Sequence, residues 1–171
     1  SFLKKIVVSE DPDKALSNKE FPWLSYRDIE IGMCPVRALR VAYTGELGWE
    51  LHHPIEMQNY LLGILLSSGE EFDIKLVGAR AQNWLRQEKS YKAFGSDLGR
   101  DAGPFESNLR KFVDLNKDFL GKKALLNRKI EVSCVTLLID GPENIDPWGR
   151  EALYNESEKL ILGRLTSGGY S

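Results

Sequence analysis

The residue best suited to bind a ligand is Glu50, which the sequence places just after a tight turn. Residues 44–48 include Gly45 and Gly48, which can both take positive φ. This segment therefore predicts a short connection between two antiparallel strands. Side chains alternate along a strand, which puts Glu50 and His52 on one face of the returning strand, residues 49–53. A carboxylate fixed there can accept two parallel N–H donors, such as the ring N3–H and the 2-amino group of a pterin. The alternative is a solvated glutamate, and spacing alone favours it because exposed glutamate is the norm.

Metal and nucleophile chemistry find little support in the sequence. Cys34 and Cys134 lie far apart, and Cys134 stands in an apolar run that is typical of a buried thiol. His52 and His53 are adjacent, so on a strand they point to opposite faces and cannot share one metal ion. The sequence has no glycine-rich nucleotide fingerprint, no phosphate loop and no nucleophile elbow.

The elements that position Glu50 are predicted to be an antiparallel meander followed by two helices. The strands of the meander are residues 27–31, 36–43 and 49–53, and the helices are residues 56–68 and 78–89. Later segments predict strands at 72–77, 112–115, 132–139, 151–154 and 159–166, a glycine-rich loop at 94–104 and a short helix at 121–127. Strands mixed with segregated helices indicate an α+β fold.

Length and composition describe an ordinary globular chain. It has 171 residues, of which 42% are hydrophobic and 28% charged, which suits one medium domain or one and a half small ones. A net charge of −2 does not favour nucleic acid or an anionic membrane as a partner. The longest apolar stretch, residues 60–66, is too short to span a bilayer. The chain starts without methionine and stops after a turn signal, so we expect a fragment of a longer protein.

Motifs along nearly the whole chain resemble one known family, in the same order and at similar spacing. The first is the hairpin run Tyr-Thr-Gly-Glu-Leu-Gly-Trp-Glu-Leu at 43–51. The others are Leu-Ser-Asn at 16–18, Phe-Pro-Trp at 21–23, Leu-Arg-Gln-Glu-Lys at 85–89, Phe-Gly-Ser-Asp at 94–97, Pro-Phe-Glu-Ser-Asn-Leu at 104–109, Phe-Val-Asp-Leu-Asn-Lys at 112–117, Asp-Phe-Leu-Gly-Lys-Lys-Ala-Leu at 118–125 and Leu-Gly-Arg-Leu-Thr-Ser-Gly-Gly-Tyr at 162–170. They resemble the glycine-cleavage T-protein (aminomethyltransferase) family, in the form found at the C-terminal end of dimethylglycine and sarcosine dehydrogenases.

The resemblance implies a fold, a division into domains and an activity. Residues 1–118 are expected to form a T-protein-like folate-binding domain, an antiparallel sheet with packed helices that is incomplete at its N-terminus. Residues 119–171 are expected to begin a small C-terminal β-barrel domain. The implied activity is transfer of a one-carbon unit from a methylated amine, such as dimethylglycine or sarcosine, to tetrahydrofolate. An upstream flavin domain would bring FAD, and the expected location is a bacterial cytoplasm or the mitochondrial matrix.

The resemblance also assigns the site residues. Glu50 matches the pterin-binding carboxylate of the family, Tyr43 matches an aromatic residue that lines the folate site, and Leu51 and His52 lie beside it. Lys111 stands where relatives carry an aromatic residue and could pair with the glutamyl carboxylate of folate. The catalytic aspartate of the family has no counterpart in this chain, so no catalytic residue and no metal ligand is assigned and the fragment alone is expected to be inactive. Asp97 is interpreted as a turn former.

Two other functions stay open at this point. A non-catalytic relative, of the type of the regulatory subunit of pyruvate dehydrogenase phosphatase, would act through a partner; it is disfavoured because such relatives tend to lose the acid at Glu50. A plain aminomethyltransferase of the glycine cleavage system is disfavoured by Gln82, which stands where those enzymes carry a folate-binding arginine, and by the Phe-Pro-Trp segment at 21–23.

Overall fold

The computed structural model describes residues 2–100, 102–141, 145–157 and 159–170. The chain divides into two compact units, Ser1–Gln82 and Asn83–Ser171. Each unit has helices and a small antiparallel sheet, which agrees with the predicted α+β class. The boundary near residue 118 and the C-terminal barrel stay predictions. In the described part of the chain, no helix is both long and apolar enough to cross a membrane.

A three-stranded antiparallel sheet and one long helix dominate the first unit. The strands are β1 (Tyr26–Ile31), β2 (Cys34–Leu39) and β3 (Glu50–His52), hydrogen-bonded in that order. The helices are α1 (Leu3–Ile6), α2 (Pro12–Ala15), α3 (Gln58–Gly69) and α4 (Ala79–Glu88), and α4 continues past the end of the unit. Two 3-10 turns, Ile55–Met57 and Glu70–Phe72, flank α3. The predicted meander and both predicted helices are therefore confirmed.

One face of the sheet packs on α3 and the N-terminal segment. Along β2, Cys34, Val36 and Ala38 are buried while Arg37 between them is exposed, which is the alternation of a half-buried strand. The buried apolar residues that form this core are Leu3, Val7, Leu16, Phe21, Ile31, Cys34, Val36, Ala38 and Leu61. We call this the inner face of the sheet; the opposite, outer face points away from the core.

The β1–β2 turn is fixed by a close approach of α3. Gly32 has φ +58°, and a Cβ there would collide with the ring hydroxyl of Tyr60 and the side chain of Ile64. Next in the chain, the backbone N–H of Met33 donates to the Tyr60 hydroxyl at 3.1 Å. Only glycine combines this backbone conformation with this lack of space.

The predicted tight hairpin between β2 and β3 is wrong. Leu39 at the end of β2 is paired with Glu50 at the start of β3, so residues 40–49 form a long loop. Past Leu39 the chain pairs with the preceding loop instead: the N–H of Arg40 donates to the Ser25 carbonyl at 2.9 Å. The Arg40 guanidinium also bonds the side chain of Asn18 and the carbonyl of Phe21. These bonds end the β2–β3 ladder earlier than the β-rich sequence predicts.

The second unit is less regular. It contains the end of α4, the 3-10 turn Arg110–Phe112, α5 (Lys122–Asn127) and a hairpin of β4 (Ala152–Tyr154) with β5 (Ile161–Arg164). The helix and the hairpin confirm the prediction for those segments. The strands predicted at 112–115 and 132–139 do not form. The N–H of Val113 donates to the Arg110 carbonyl in a local turn, and the N–H of Cys134 donates to the carbonyl of Glu106, far earlier in the chain.

One predicted strand in the first unit is also wrong. Residues 72–77 contain no strand, since the 3-10 turn reaches Phe72 and Asp73 then takes φ +50°. Gly69 is the last residue of α3 and has φ −86°. It is needed because a Cβ would collide with the side chain of Ile74.

Candidate functional site

Glu50 lies on the outer face of the sheet, on the edge strand β3. Its backbone pairs with Leu39, and its side chain is 55% exposed. The next residue, Leu51, pairs with Ala38 and packs against the core on the inner face. Because Leu51 is anchored inside, the strand directs the Glu50 side chain to the outer face. This is the orientation that the sequence predicts for Glu50.

His52 shares the outer face with Glu50. Its Nε2 lies 3.5 Å from Oε2 of Glu50, and its side chain is 60% exposed. Two side chains two residues apart on one strand meet in this way because both project from the same face. The structure therefore brings Glu50 and His52 together, with Leu51 directly beneath them on the other face.

Two rows of side chains cross the outer face from β1 to β3. In the first row Tyr26 pairs with Leu39, and Leu39 pairs with Glu50. In the second row, the pairs run from Asp28 through Arg37 to His52. Directly opposed residues of an antiparallel sheet project to the same side, so each row forms a line of neighbouring side chains.

The second row carries a bidentate ion pair. Arg37 donates from Nε and Nη2 to the two carboxylate oxygens of Asp28, at 2.8 and 3.0 Å. These hydrogen bonds hold the pKa of the Asp28 carboxyl below its usual value. The Arg37 guanidinium also lies 5.3 Å from the centre of the Tyr26 ring. The pair thus orders one charged and one aromatic group on the same outer face as Glu50.

Tyr43, predicted on a strand, lies instead in the loop of residues 40–49 and is 38% exposed. The first and last residues of this loop contact each other: the Arg40 guanidinium lies 5.6 Å from the centre of the Trp49 ring. Trp49 in turn packs edge-on against buried Phe21, at 4.7 Å between ring centres. Tyr43 is therefore carried by a loop whose two ends are tied to the core.

Lys111 lies in the second unit, in the 3-10 turn Arg110–Phe112. Its side chain is exposed, and its Nζ is 5.0 Å from the centre of the neighbouring Phe112 ring. A local lysine–aromatic contact of this kind leaves the ammonium group in solvent. The role predicted for Lys111 stays a prediction.

A buried polar cluster in the second unit was not predicted from the sequence. Arg86 on α4 and Asp97 in the following loop are 2% and 7% exposed, and Nη1 of Arg86 lies 2.5 Å from Oδ2 of Asp97. The guanidinium also donates to Oδ1 of Asn83, at 2.8 and 3.0 Å, and to Oγ of Ser167 at 2.6 Å. On α4 the charged Arg86 is buried while its apolar neighbour Leu85 is exposed, because hydrogen bonding turns Arg86 inward.

Asp97 uses both carboxylate oxygens within the protein. Oδ2 accepts from Arg86 and from the N–H of Ala93, and Oδ1 accepts from the hydroxyls of Thr166 and Ser167. Burial acts to raise the pKa of Asp97, but the hydrogen bonds from Thr166, Ala93 and Ser167 and the charge of Arg86 outweigh it and hold that pKa below its usual value. The predicted turn former is therefore an ionised structural anchor with no oxygen left for a substrate.

A second buried carboxylate, Glu106, pairs with Arg128 at the edge of the second unit. Glu106 is 3% exposed. The hydrogen bond from its own backbone N–H and the contact with Arg128 hold the pKa of its carboxyl below the usual value, against the opposing effect of burial. The described residues contain no cluster of three or more His, Cys, Asp or Glu side chains that could hold a metal ion, and neither Cys34 nor Cys134 is in a disulfide.

Comparison with known proteins identifies the family to which this arrangement belongs. The sequence profile of the GCVT N-terminal domain matches residues 4–117. Mouse mitochondrial dimethylglycine dehydrogenase is 40% identical over 172 aligned residues, covering 96% of this chain and 19% of that protein. The aminomethyltransferase of Thermotoga maritima is 32% identical, over 90% of this chain and 42% of that protein.

A regulatory protein is also similar. The mitochondrial pyruvate dehydrogenase phosphatase regulatory subunit of mouse is 30% identical over 96% of this chain and 20% of its own length. The chain spans about a fifth of the length of the dimethylglycine dehydrogenases that it matches. The profile match extends over most of the chain, and the two enzymes and the regulatory subunit all align with nine-tenths of it or more. The chain therefore belongs to the glycine-cleavage T-protein family.

Proposed function

We propose that this chain is the tetrahydrofolate-binding module of a dimethylglycine or sarcosine dehydrogenase-like protein. In that protein it receives a one-carbon unit released from a methylated amine and transfers it to tetrahydrofolate. Support comes from the family and from relatives named dimethylglycine dehydrogenase, sarcosine dehydrogenase and aminomethyltransferase. FAD belongs to this proposal only where a flavin domain precedes the module in the same polypeptide.

The observation that carries the proposal is the position of Glu50. Its carboxylate projects from an edge strand into solvent, and its strand is anchored by Leu51 in the core. A fixed carboxylate can accept the ring N–H and the amino group of a pterin together, and such charge-assisted pairs are selective in geometry. His52 contacts Glu50 from the same face and limits the directions that the carboxylate can take. Tyr43 is a further proposed folate contact, and the family resemblance alone suggests Lys111 as another.

In this proposal, the acid that the transfer needs is not Asp97. Asp97 is buried, and both of its oxygens are occupied. We therefore place the catalytic carboxylate outside the 171 residues, in the longer protein. The chain then binds and orients tetrahydrofolate, and the amine is oxidised in another part of the longer protein. The proposed compartment is a bacterial cytoplasm or the mitochondrial matrix, and the relatives named above include mitochondrial enzymes.

The proposal is tested by the affinity of the full-length protein for tetrahydrofolate, measured by calorimetry. Glu50→Gln keeps the shape of the side chain but removes its charge, so we expect a loss of about 1.5–3 kcal/mol, or roughly tenfold to hundredfold in affinity. The matched control is Glu30→Gln, an exposed glutamate on the outer face at the far end of β1. It should bind as the unaltered protein does.

Two outcomes would contradict the proposal. Equal affinities of the unaltered protein and Glu50→Gln would show that the carboxylate does not hold the pterin. A full-length protein that does not bind tetrahydrofolate at all would favour a regulatory role, as in the relative named pyruvate dehydrogenase phosphatase regulatory subunit. Retention of the acid at Glu50 is the feature that speaks against that role.

A further inference from the structure

Glu50 stands at one end of the row Tyr26–Leu39–Glu50, and this row differs in character from its neighbour. The neighbouring row, from Asp28 to His52, is charged or polar throughout. Leu39 is half-buried and pairs with both Tyr26 and Glu50, so an apolar surface begins directly beside the carboxylate. A flat ring whose edge is bonded to Glu50 can extend over Leu39 and remove that surface from water.

At the far end of the row, the Tyr26 ring is held from one side. The Arg37 guanidinium lies 5.3 Å from its centre and is itself fixed by two hydrogen bonds to Asp28. Tyr26 is nevertheless 63% exposed, so much of the ring faces solvent. An aromatic ring that is already ordered and still open loses little conformational freedom when another ring packs on it.

The spacing of the row suits a ligand with two ring systems. Adjacent strands lie about 4.8 Å apart, so the backbones at Glu50 and Tyr26 are about 10 Å apart across the intervening strand. This is the scale that separates the outer edge of a pterin from the benzoyl ring joined to its far side. A bare pterin held at Glu50 would reach Leu39 but not Tyr26.

We propose that the row Tyr26–Leu39–Glu50 makes this site selective for folates over bare pterins. The pterin lies over Leu39 with its edge on Glu50, and the p-aminobenzoyl ring packs against Tyr26. This inference rests on the proposed function, since it takes tetrahydrofolate as the ligand of Glu50. It adds Tyr26 and Leu39, which no sequence motif singled out, as positioning residues.

The test compares two ligands in the full-length protein by calorimetry: tetrahydrofolate, and 6-methyltetrahydropterin, which lacks the p-aminobenzoyl arm. Tyr26→Ala should weaken tetrahydrofolate binding about threefold to tenfold, the usual worth of an aromatic pair, and leave the bare pterin unchanged. Tyr26→Phe keeps the ring and should bind both ligands normally. Met33→Ala removes an exposed apolar side chain at the opposite end of the same sheet and should also change neither affinity.

The pattern of losses separates this inference from the proposed function. Glu50→Gln should lower the affinity for both ligands. If it lowers neither affinity, the proposed function fails and the inference fails with it. Suppose that Glu50→Gln lowers the affinity for both ligands. If Tyr26→Ala then lowers neither affinity, or lowers both equally, the row does not contact the benzoyl arm. Tyr26→Leu keeps the bulk without the ring and replaces Tyr26→Ala if that variant does not fold, as judged by circular dichroism.

Discussion

Arg86 and Asp97 form a buried ion pair that joins three distant parts of the sequence. The contact between Nη1 and Oδ2 measures 2.5 Å, and both side chains are buried. Through Ser167, which bonds both partners, the pair ties α4 and the loop that follows it to the end of the chain. Gln87 adds a second link, from its side-chain amide to the Gly168 carbonyl at 3.1 Å.

Removal of one charge from this pair should destabilise the protein strongly. Asp97→Asn leaves the Arg86 charge buried without its partner, and the usual cost of breaking a buried pair in this way is about 3–5 kcal/mol. The free energy of unfolding from urea titration, followed by tryptophan fluorescence through nearby Trp84, measures the loss. Asp118→Asn, at an exposed aspartate of the same unit, is the control and should change stability little. A loss below about 1 kcal/mol for Asp97→Asn would contradict the structural role.

The same pair should make stability depend on pH in the acid range. The pKa of Asp97 is lowered in the folded state, so its ionised form contributes stability above the unfolded pKa of about 3.9, and this contribution is lost as the pH falls below that value. The difference in unfolding free energy between the unaltered protein and Asp97→Asn should therefore be constant near neutral pH and shrink on acidification below about pH 4. A difference that stays constant down to the acid transition would show that Asp97 is not ionised in the fold.

Two glycines of α3 should respond in opposite ways to the same substitution. Gly63 lies within the helix with nothing near its Cβ position, so Gly63→Ala should stabilise the protein by about 0.5–1 kcal/mol. Gly69 ends the helix under the Ile74 side chain, so Gly69→Ala should destabilise it by about 1–3 kcal/mol. Thermal unfolding of the two variants checks the signs, and stabilisation by both would mean that Ile74 moves aside freely.

The 171-residue chain alone should not form methylene-tetrahydrofolate. In the proposed function the acid for this step lies outside the chain, and Asp97 has its oxygens bound within the protein. The purified chain is incubated with tetrahydrofolate and formaldehyde, and product is followed by absorbance against a protein-free blank. Formation faster than the blank would place the catalytic group within these residues, and Glu106, a buried carboxylate, would be the first to replace.

The sequence by itself determined the fold class, the family and the direction of Glu50. Alternation along β2 and β3 decides which side chains face the core, and a strand with one apolar face has one stable orientation. The helix α3 follows from its apolar spacing in the same way. Because these signals are local, they can be read without knowing what the elements pack against.

Only the tertiary structure decided where the ladders end and which polar residues are buried. The length of β2 depends on Arg40, whose bonds to Phe21 and Asn18 come from a loop far earlier in the chain. Likewise, nothing local in the α4 sequence predicts that Arg86 is buried while Leu85 is exposed. Hydrogen bonds from Arg86 to partners as distant in sequence as Ser167 offset the cost of burying its charge. Contacts of that range leave no periodic trace in the sequence, which is why no local pattern in α4 predicts its buried arginine.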